Sequence, residues 1–129
     1  MSCEKFVLII TDGDELIGQI SQTIKAAFSG CDVKICCAGD FEGTDLLRCA
    51  VFFLGCNTPN PESFFCLQEM LAHINFASRR CGIFSVNEES IKYLRDILID
   101  SEAVFKELLV VNEKTDESAV EKWAREILS

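Results

Sequence analysis

Proline, histidine and positive charge are scarce in this chain of 129 residues: two prolines, one histidine, and 12 Lys and Arg against 21 Asp and Glu. The formal net charge of −9 argues against a nucleic-acid backbone or an anionic membrane as partner. It is compatible with a basic protein partner or a cation. No run approaches the ~18 apolar residues that a membrane span requires. The first apolar run, residues 6–10, follows Glu4 and stops at Thr11, Asp12 and Gly13, too short and too acidic for a signal peptide. These absences predict a cytoplasmic protein. The lone histidine, His73, falls within a helical stretch with no serine or carboxylate at a catalytic spacing, so no Ser–His–acid arrangement is available and a structural or surface role is expected. No acid pair of the glycosidase kind can be argued from spacing, and no catalytic residue is assigned.

No segment is of low complexity, and neither an internal repeat nor a linker is visible. At this length the chain is expected to form one domain over residues 1–129. Apolar runs alternate with amphipathic stretches. Runs at 6–10, 33–37, 50–54, 82–86 and 108–111 read as strands buried on both faces. Stretches at 16–28, 62–76, 89–99 and 117–128 carry apolar residues three and four apart and read as helices. The inward stripes are expected to be Leu16, Ile20, Ile24 and Ala27 or Phe28; Phe65, Met70 or Leu71, and Ile74; Ile91, Leu94 and Leu98; and Val120, Trp123, Ala124 and Ile127. Thr115 or Asp116 caps the last helix. Residues 38–48 read as irregular with one turn near 44–47, and Pro59 and Pro61 forbid a helix immediately after the third strand. The alternation predicts a three-layer α/β/α sandwich around a five-stranded parallel sheet.

Such sheets carry their sites beyond the carboxyl ends of the strands. That edge is predicted to hold Asp12, Asp14, Glu15, Asp40, Glu42, Asp45, Glu88, Glu89, Glu113, Asp116 and Glu117, against Lys114. A phosphate cradle needs free backbone N–H groups and hydroxyls. The first turn offers one glycine and one threonine beside three carboxylates, which compete for the same donors and repel an anion. Asp12 and Asp14 are candidate ligands for a divalent cation, with Asp45 as a third only if its loop folds inward.

Eight cysteines are present, and a cytoplasmic setting predicts reduced thiols. None of the two-residue spacings of zinc or iron–sulfur sites occurs. Cys3, Cys31, Cys49 and Cys81 fall near the amino ends of the first four strands, where small apolar fillers are expected. Cys36, Cys37 and Cys56 fall at the carboxyl edge, where carboxylates raise thiol pKa values.

Taken together, the short acidic chain, the segment Ala50-Val51-Phe52-Phe53-Leu54-Gly55-Cys56-Asn57-Thr58 and the terminal helix bearing Trp123-Ala124 after Thr115-Asp116-Glu117 resemble a flavodoxin. The resemblance implies strand order 2-1-3-4-5, FMN as cofactor and electron transfer as activity. It also implies that the phosphate loop is Thr11-Asp12-Gly13-Asp14-Glu15, with flavin loops at Cys56-Asn57-Thr58-Pro59 and Asn87-Glu88. Each departs from the family pattern: only Thr11 brings a hydroxyl to the first, and Pro59 stands where an aromatic stacks on the ring. A weaker resemblance is to response-regulator receiver domains. It lies in the acidic first turn, Pro59, Ser85 and Lys114, but Gly55 or Cys56 occupies the phosphoacceptor position, so such a relative is inactive. The expectation is therefore a flavodoxin-like domain with a degenerate FMN site, serving as a non-catalytic interaction or regulatory module with no cofactor. The alternative is an FMN-binding electron carrier. In it Thr11, Gly13 and the first N–H groups of the following helix hold the phosphate, and Cys56–Thr58 and Asn87–Glu88 approach the ring.

Overall fold

The computed structural model describes residues 6–73, 75, 79–101, 108–112 and 114–128. Five strands, β1 (Phe6–Thr11), β2 (Asp32–Cys37), β3 (Val51–Cys56), β4 (Arg80–Ser85) and β5 (Leu108–Val110), form one sheet in the order β2-β1-β3-β4-β5. All four pairings are parallel. Their register sets Thr11, at the end of β1, opposite Cys37 on one side and Gly55 on the other, and Cys56 opposite Ser85.

The helices are α1 (Glu15–Ala27), α2 (Gly43–Arg48), α3 (Phe65–Leu71), α4 (Glu88–Leu98) and α5 (Glu117–Leu128). Alternate side chains of each central strand point to opposite faces, which divides the core in two. Val7, Ile9, Val51, Phe53 and Phe84 pack with Ile17, Ile20 and Ile24 of α1 and Val120, Trp123, Ala124 and Ile127 of α5. Leu8, Ile10, Phe52, Leu54 and Ile83 pack with Leu46 of α2, Leu67 and Leu71 of α3, and Ile91, Leu94 and Leu98 of α4. The sheet is thus the middle layer of an α/β/α sandwich, as the alternation predicts.

Three expectations are corrected. The stretch at 38–48 contains a helix, α2, in place of the single turn that its composition suggests. The expected helical stretch at 62–76 opens as a 3₁₀ turn over Glu62–Phe64 before α3 begins at Phe65. A 3₁₀ turn advances by three residues rather than 3.6. The phase slips accordingly, so Phe64 is buried while Phe65, expected inward, is 63% exposed. That helix also ends earlier than expected, at Leu71, with Ala72 and the lone histidine His73 in the turn that follows; Ile74 and Phe76 lie outside the described residues, as do Cys3 and Glu113. Finally, Cys31 is disulfide-bonded, against the expectation that every cysteine is a reduced thiol. Adjacent strands lie about 5 Å apart, near the Cα separation that a disulfide spans, so a cysteine at a strand end is within bridging range of a neighbour. Cys49 and Cys81 are free and buried, in keeping with the filler role. No helix among the described residues is long and apolar enough to cross a membrane.

Candidate functional site

The strand order reverses between β1 and β3, so the loops after these strands lie side by side at the carboxyl edge, with the β4 loop next to them. The turn after β1 is built by its own polar side chains. Thr11 is buried, and its Oγ1 accepts from the Gly13 amide at 3.2 Å. Gly13 has φ of +85°, a backbone state that costs a side-chain-bearing residue and suits glycine. Asp12 Oδ1 accepts from the Asp14 amide at 3.0 Å. Asp14 is the N-cap of α1, its Oδ2 accepting from the Ile17 amide at 3.1 Å.

The remaining oxygen of each carboxylate reaches across to the end of β3. The Asn57 amide donates to Asp12 Oδ2 at 2.8 Å, and Asn57 Nδ2 donates to Asp14 Oδ1 at 2.9 Å. A second asparagine continues the chain of bonds. Asn87 Nδ2 donates to the Asn57 carbonyl at 2.6 Å, while its Oδ1 caps α4 by accepting from the Ser90 amide at 2.8 Å. Below them the buried Ser85 hydroxyl donates to the Cys56 carbonyl at 2.6 Å. The β1, β3 and β4 loops are therefore joined by one continuous polar network.

The structure brings Thr11, Asp12, Gly13, Asp14, Cys56, Asn57 and Asn87 together in that network or directly against it. Glu15, Thr58, Pro59 and Glu88 lie on its exposed rim. Ser85 enters the sequence reading only through the receiver likeness and not as a residue of this site; a serine closing a buried strand is the signal that could have found it. The linking role of Asn57 and Asn87 needs the tertiary pairing of loops 30 residues apart.

Cys56 is buried, and its thiol is pushed up to about 12, first by burial and then by the charge of Asp12, with the Ser90 hydroxyl opposing. The half-buried Cys36 thiol is pushed up to about 11, again chiefly by burial. Neither is a thiolate nucleophile near neutral pH. Asp45 is buried but lies away from the first turn. Lys34 Nζ and Arg48 Nη2 donate to its two oxygens at 2.5 and 3.2 Å, so it does not join Asp12 and Asp14. Among the described residues, no group of three or more His, Cys, Asp or Glu is arranged to hold a metal ion. Beside the first turn an open cleft of about 480 Å³ runs between α1 and the loops after β4 and β5, lined by Leu16, Val86, Val111, Asn112 and Lys114.

No family model matches the sequence, and no curated protein matches it closely enough to count as a relative. Solved structures do match. A short-chain flavodoxin associated with a PDU bacterial microcompartment superposes with a TM-score of 0.80 at 10% identity, over 98% of this chain and 97% of that one. A flavodoxin of Streptococcus pneumoniae gives 0.75 at 17% identity, over 95% and 96% of the two chains. Flavodoxin 2 of Bacillus cereus gives 0.72 at 18%, over 95% and 94%. The fold is flavodoxin-like.

In a flavodoxin-like chain the crevice is the place to test for a flavin. The loops after β3 and β4 border it, and the cleft lined by Leu16 and Val86 opens beside it, next in sequence to Glu15 and Asn87. The phosphate of FMN, however, does not fit the turn after β1. The Gly13, Asp14 and Ile17 amides already bond Thr11, Asp12 and Asp14. A dianion there would face Asp12, Asp14 and Glu15 at close range.

Proposed function

We propose that this chain is a flavin-binding electron-transfer domain of the flavodoxin type with an atypical phosphate loop. The observation that carries the reading is the shared architecture: loops at 11–15, 56–59 and 87–88 meet at one switch-point crevice. The likeness to flavodoxins over 95–98% of the chain supports it. Bound there, a flavin would supply one-electron chemistry that the chain's own side chains lack. Thr11, Asp12, Gly13, Asp14 and Glu15 border one end of the crevice; Cys56, Asn57, Thr58 and Pro59, with Asn87 and Glu88, border the other. Asn57 and Asn87 set the spacing of these loops through their bonds to Asp14 and to the Asn57 carbonyl.

The carboxylate bonds of Asp12 and Asp14 favour a second reading, in which the edge holds no flavin and the domain is an interaction or regulatory module for a protein partner. A single titration separates the two. Purified, flavin-free protein is titrated into oxidised flavin, and quenching of the flavin fluorescence is followed. Saturable quenching with a micromolar or tighter midpoint is the outcome expected for a flavin carrier. No quenching to ~100 μM, where binding would contribute less than about 5.5 kcal/mol, is the outcome for the interaction module.

A further inference from the structure

Resting on the flavin reading above, we propose that the crevice selects an unphosphorylated flavin, riboflavin, over FMN, and that Asp12 and Asp14 are the residues that make the selection. Each of their four oxygens accepts a hydrogen bond, two from the amides of Asp14 and Ile17 and two from Asn57. The turn has thus placed its own carboxylates where helix α1 would otherwise present N–H groups to an external anion. The arrangement is fastened as well as charged, because the same two side chains tie the β1 loop to the end of β3. A phosphate would have to displace the Asp14 cap and break the Asn57 bridge, and then sit against uncompensated negative charge.

A neutral polyol meets the opposite situation. Its hydroxyls are donors, and a carboxylate oxygen retains acceptor capacity after one hydrogen bond. Directly after Glu15 the wall becomes apolar. Leu16, Val86 and Val111 line a cleft of about 480 Å³, inside the range of ~300–1,000 Å³ that suits a small-molecule ligand. An uncharged ligand with a flat apolar ring system and a hydroxylated tail matches both surfaces. Lys114 is the one cation among the described residues that line the cleft. Asp12, Asp14, Glu15, Glu88 and Asp116 along the described edge outnumber it, so the local field remains unfavourable to a dianion.

The test is a pair of fluorescence titrations, riboflavin and FMN, on the full chain at ~0.1 M salt, repeated on the double variant Asp12→Asn/Asp14→Asn. Asparagine removes the charge and keeps one acceptor oxygen per side chain, enough to cap α1 from position 14; the second oxygen becomes an NH2 donor, so one of the two bonds that each carboxylate accepts is given up. Near-UV circular dichroism checks the packing, and Asp14→Ser, another good cap, serves as a second variant if the first unfolds. The expected result is riboflavin binding at least ~tenfold tighter than FMN in the wild type, with that ratio falling at least ~tenfold in the double variant and by a smaller factor in Asp14→Ser, which keeps Asp12. FMN binding as tightly as riboflavin to the wild type overturns the inference and leaves the flavin reading standing. An unchanged ratio in both variants overturns the role of the carboxylates. If neither flavin binds the wild type, the flavin reading itself fails and the inference falls with it.

Discussion

A methyl group added to Gly55 would lie 2.4 Å from Cζ of the Phe84 ring. No real Cβ tolerates that separation, and the ring has little room to retreat, because Phe84 packs edge-on against Trp123 with centroids 6.2 Å apart. Gly55→Ala is therefore an overpacking substitution in the centre of the sheet, and it is expected to cost about 1–3 kcal/mol. Urea unfolding measures it as a lower midpoint at unchanged slope; an unchanged midpoint would mean that the ring swings aside freely. The same residue shows what the sequence conceals. A glycine after an apolar run reads as punctuation, which places the end of β3 at Leu54. In the fold Gly55 pairs with Thr11 and Phe84, and the strand continues to Cys56. Glycine is there to make room for an aromatic ring from another strand, and residues 29 positions apart carry no local trace of that contact.

At the scale of elements, helices α1, α4 and α5 are legible in the sequence because each is a long amphipathic segment whose stripe alone decides its facing. The weakly patterned pieces are less so: α2 is six residues long, too short for periodicity to register, and α3 is preceded by a 3₁₀ turn that shifts its phase. Beside the buried Leu46, an ion-paired clamp ties α2 to the sheet. Asp45, buried in its first turn, accepts from Lys34 of β2 and from Arg48, and the Arg48 guanidinium lies 4.5 Å above the Phe6 ring of β1. The hydrogen bond from Lys34, helped by Arg48 and opposed by burial, holds the Asp45 carboxyl below its ordinary value of 3.8. A depressed carboxyl stabilises the fold fully above its unfolded value, and that contribution is lost as pH falls through the folded value. Lys34 behaves in the mirror sense. Raised above 10.5, first by its hydrogen bond to Asp45, it contributes fully below that value and loses its contribution as pH rises through the folded one. The difference in urea midpoint between wild type and Asp45→Asn is accordingly expected to be flat between about pH 5 and pH 9. It should close on acidification below 3.8 and on alkalinisation above 10.5. A difference that persists unchanged at pH 2 would show that Asp45 acts through packing and not through its charge.

At the scale of the molecule, the carboxyl edge and its acidic character can be read from the sequence, since strand ends and loop composition are local facts. The network joining the loops cannot. It depends on Asn57 meeting Asp12 and Asp14, more than 40 residues away, which requires β1 and β3 to be neighbours. The same edge sets the molecule's response to salt. The formal net charge of −9 imposes self-repulsion on the compact state, whereas the described ion pairs are few and mostly exposed on one side. Lys34, Arg48 and Arg125 are 44%, 65% and 62% exposed in theirs, so each is worth little in water. Raising the ionic strength shortens the Debye length from about 30 Å at 0.01 M to about 10 Å at 0.1 M, screening long-range repulsion before it reaches contacts of 3–4 Å. Repulsion therefore outweighs these pairs, and potassium chloride added from 10 to 300 mM is expected to raise the melting temperature. The shift should be of the order of 3–5 °C, about 1 kcal/mol for a chain of this size. Potassium chloride is the salt of choice because sulfate would also strengthen apolar burial. A melting temperature that falls with salt would reverse the ranking and place the Lys34–Asp45–Arg48 clamp above the repulsion of the acidic edge.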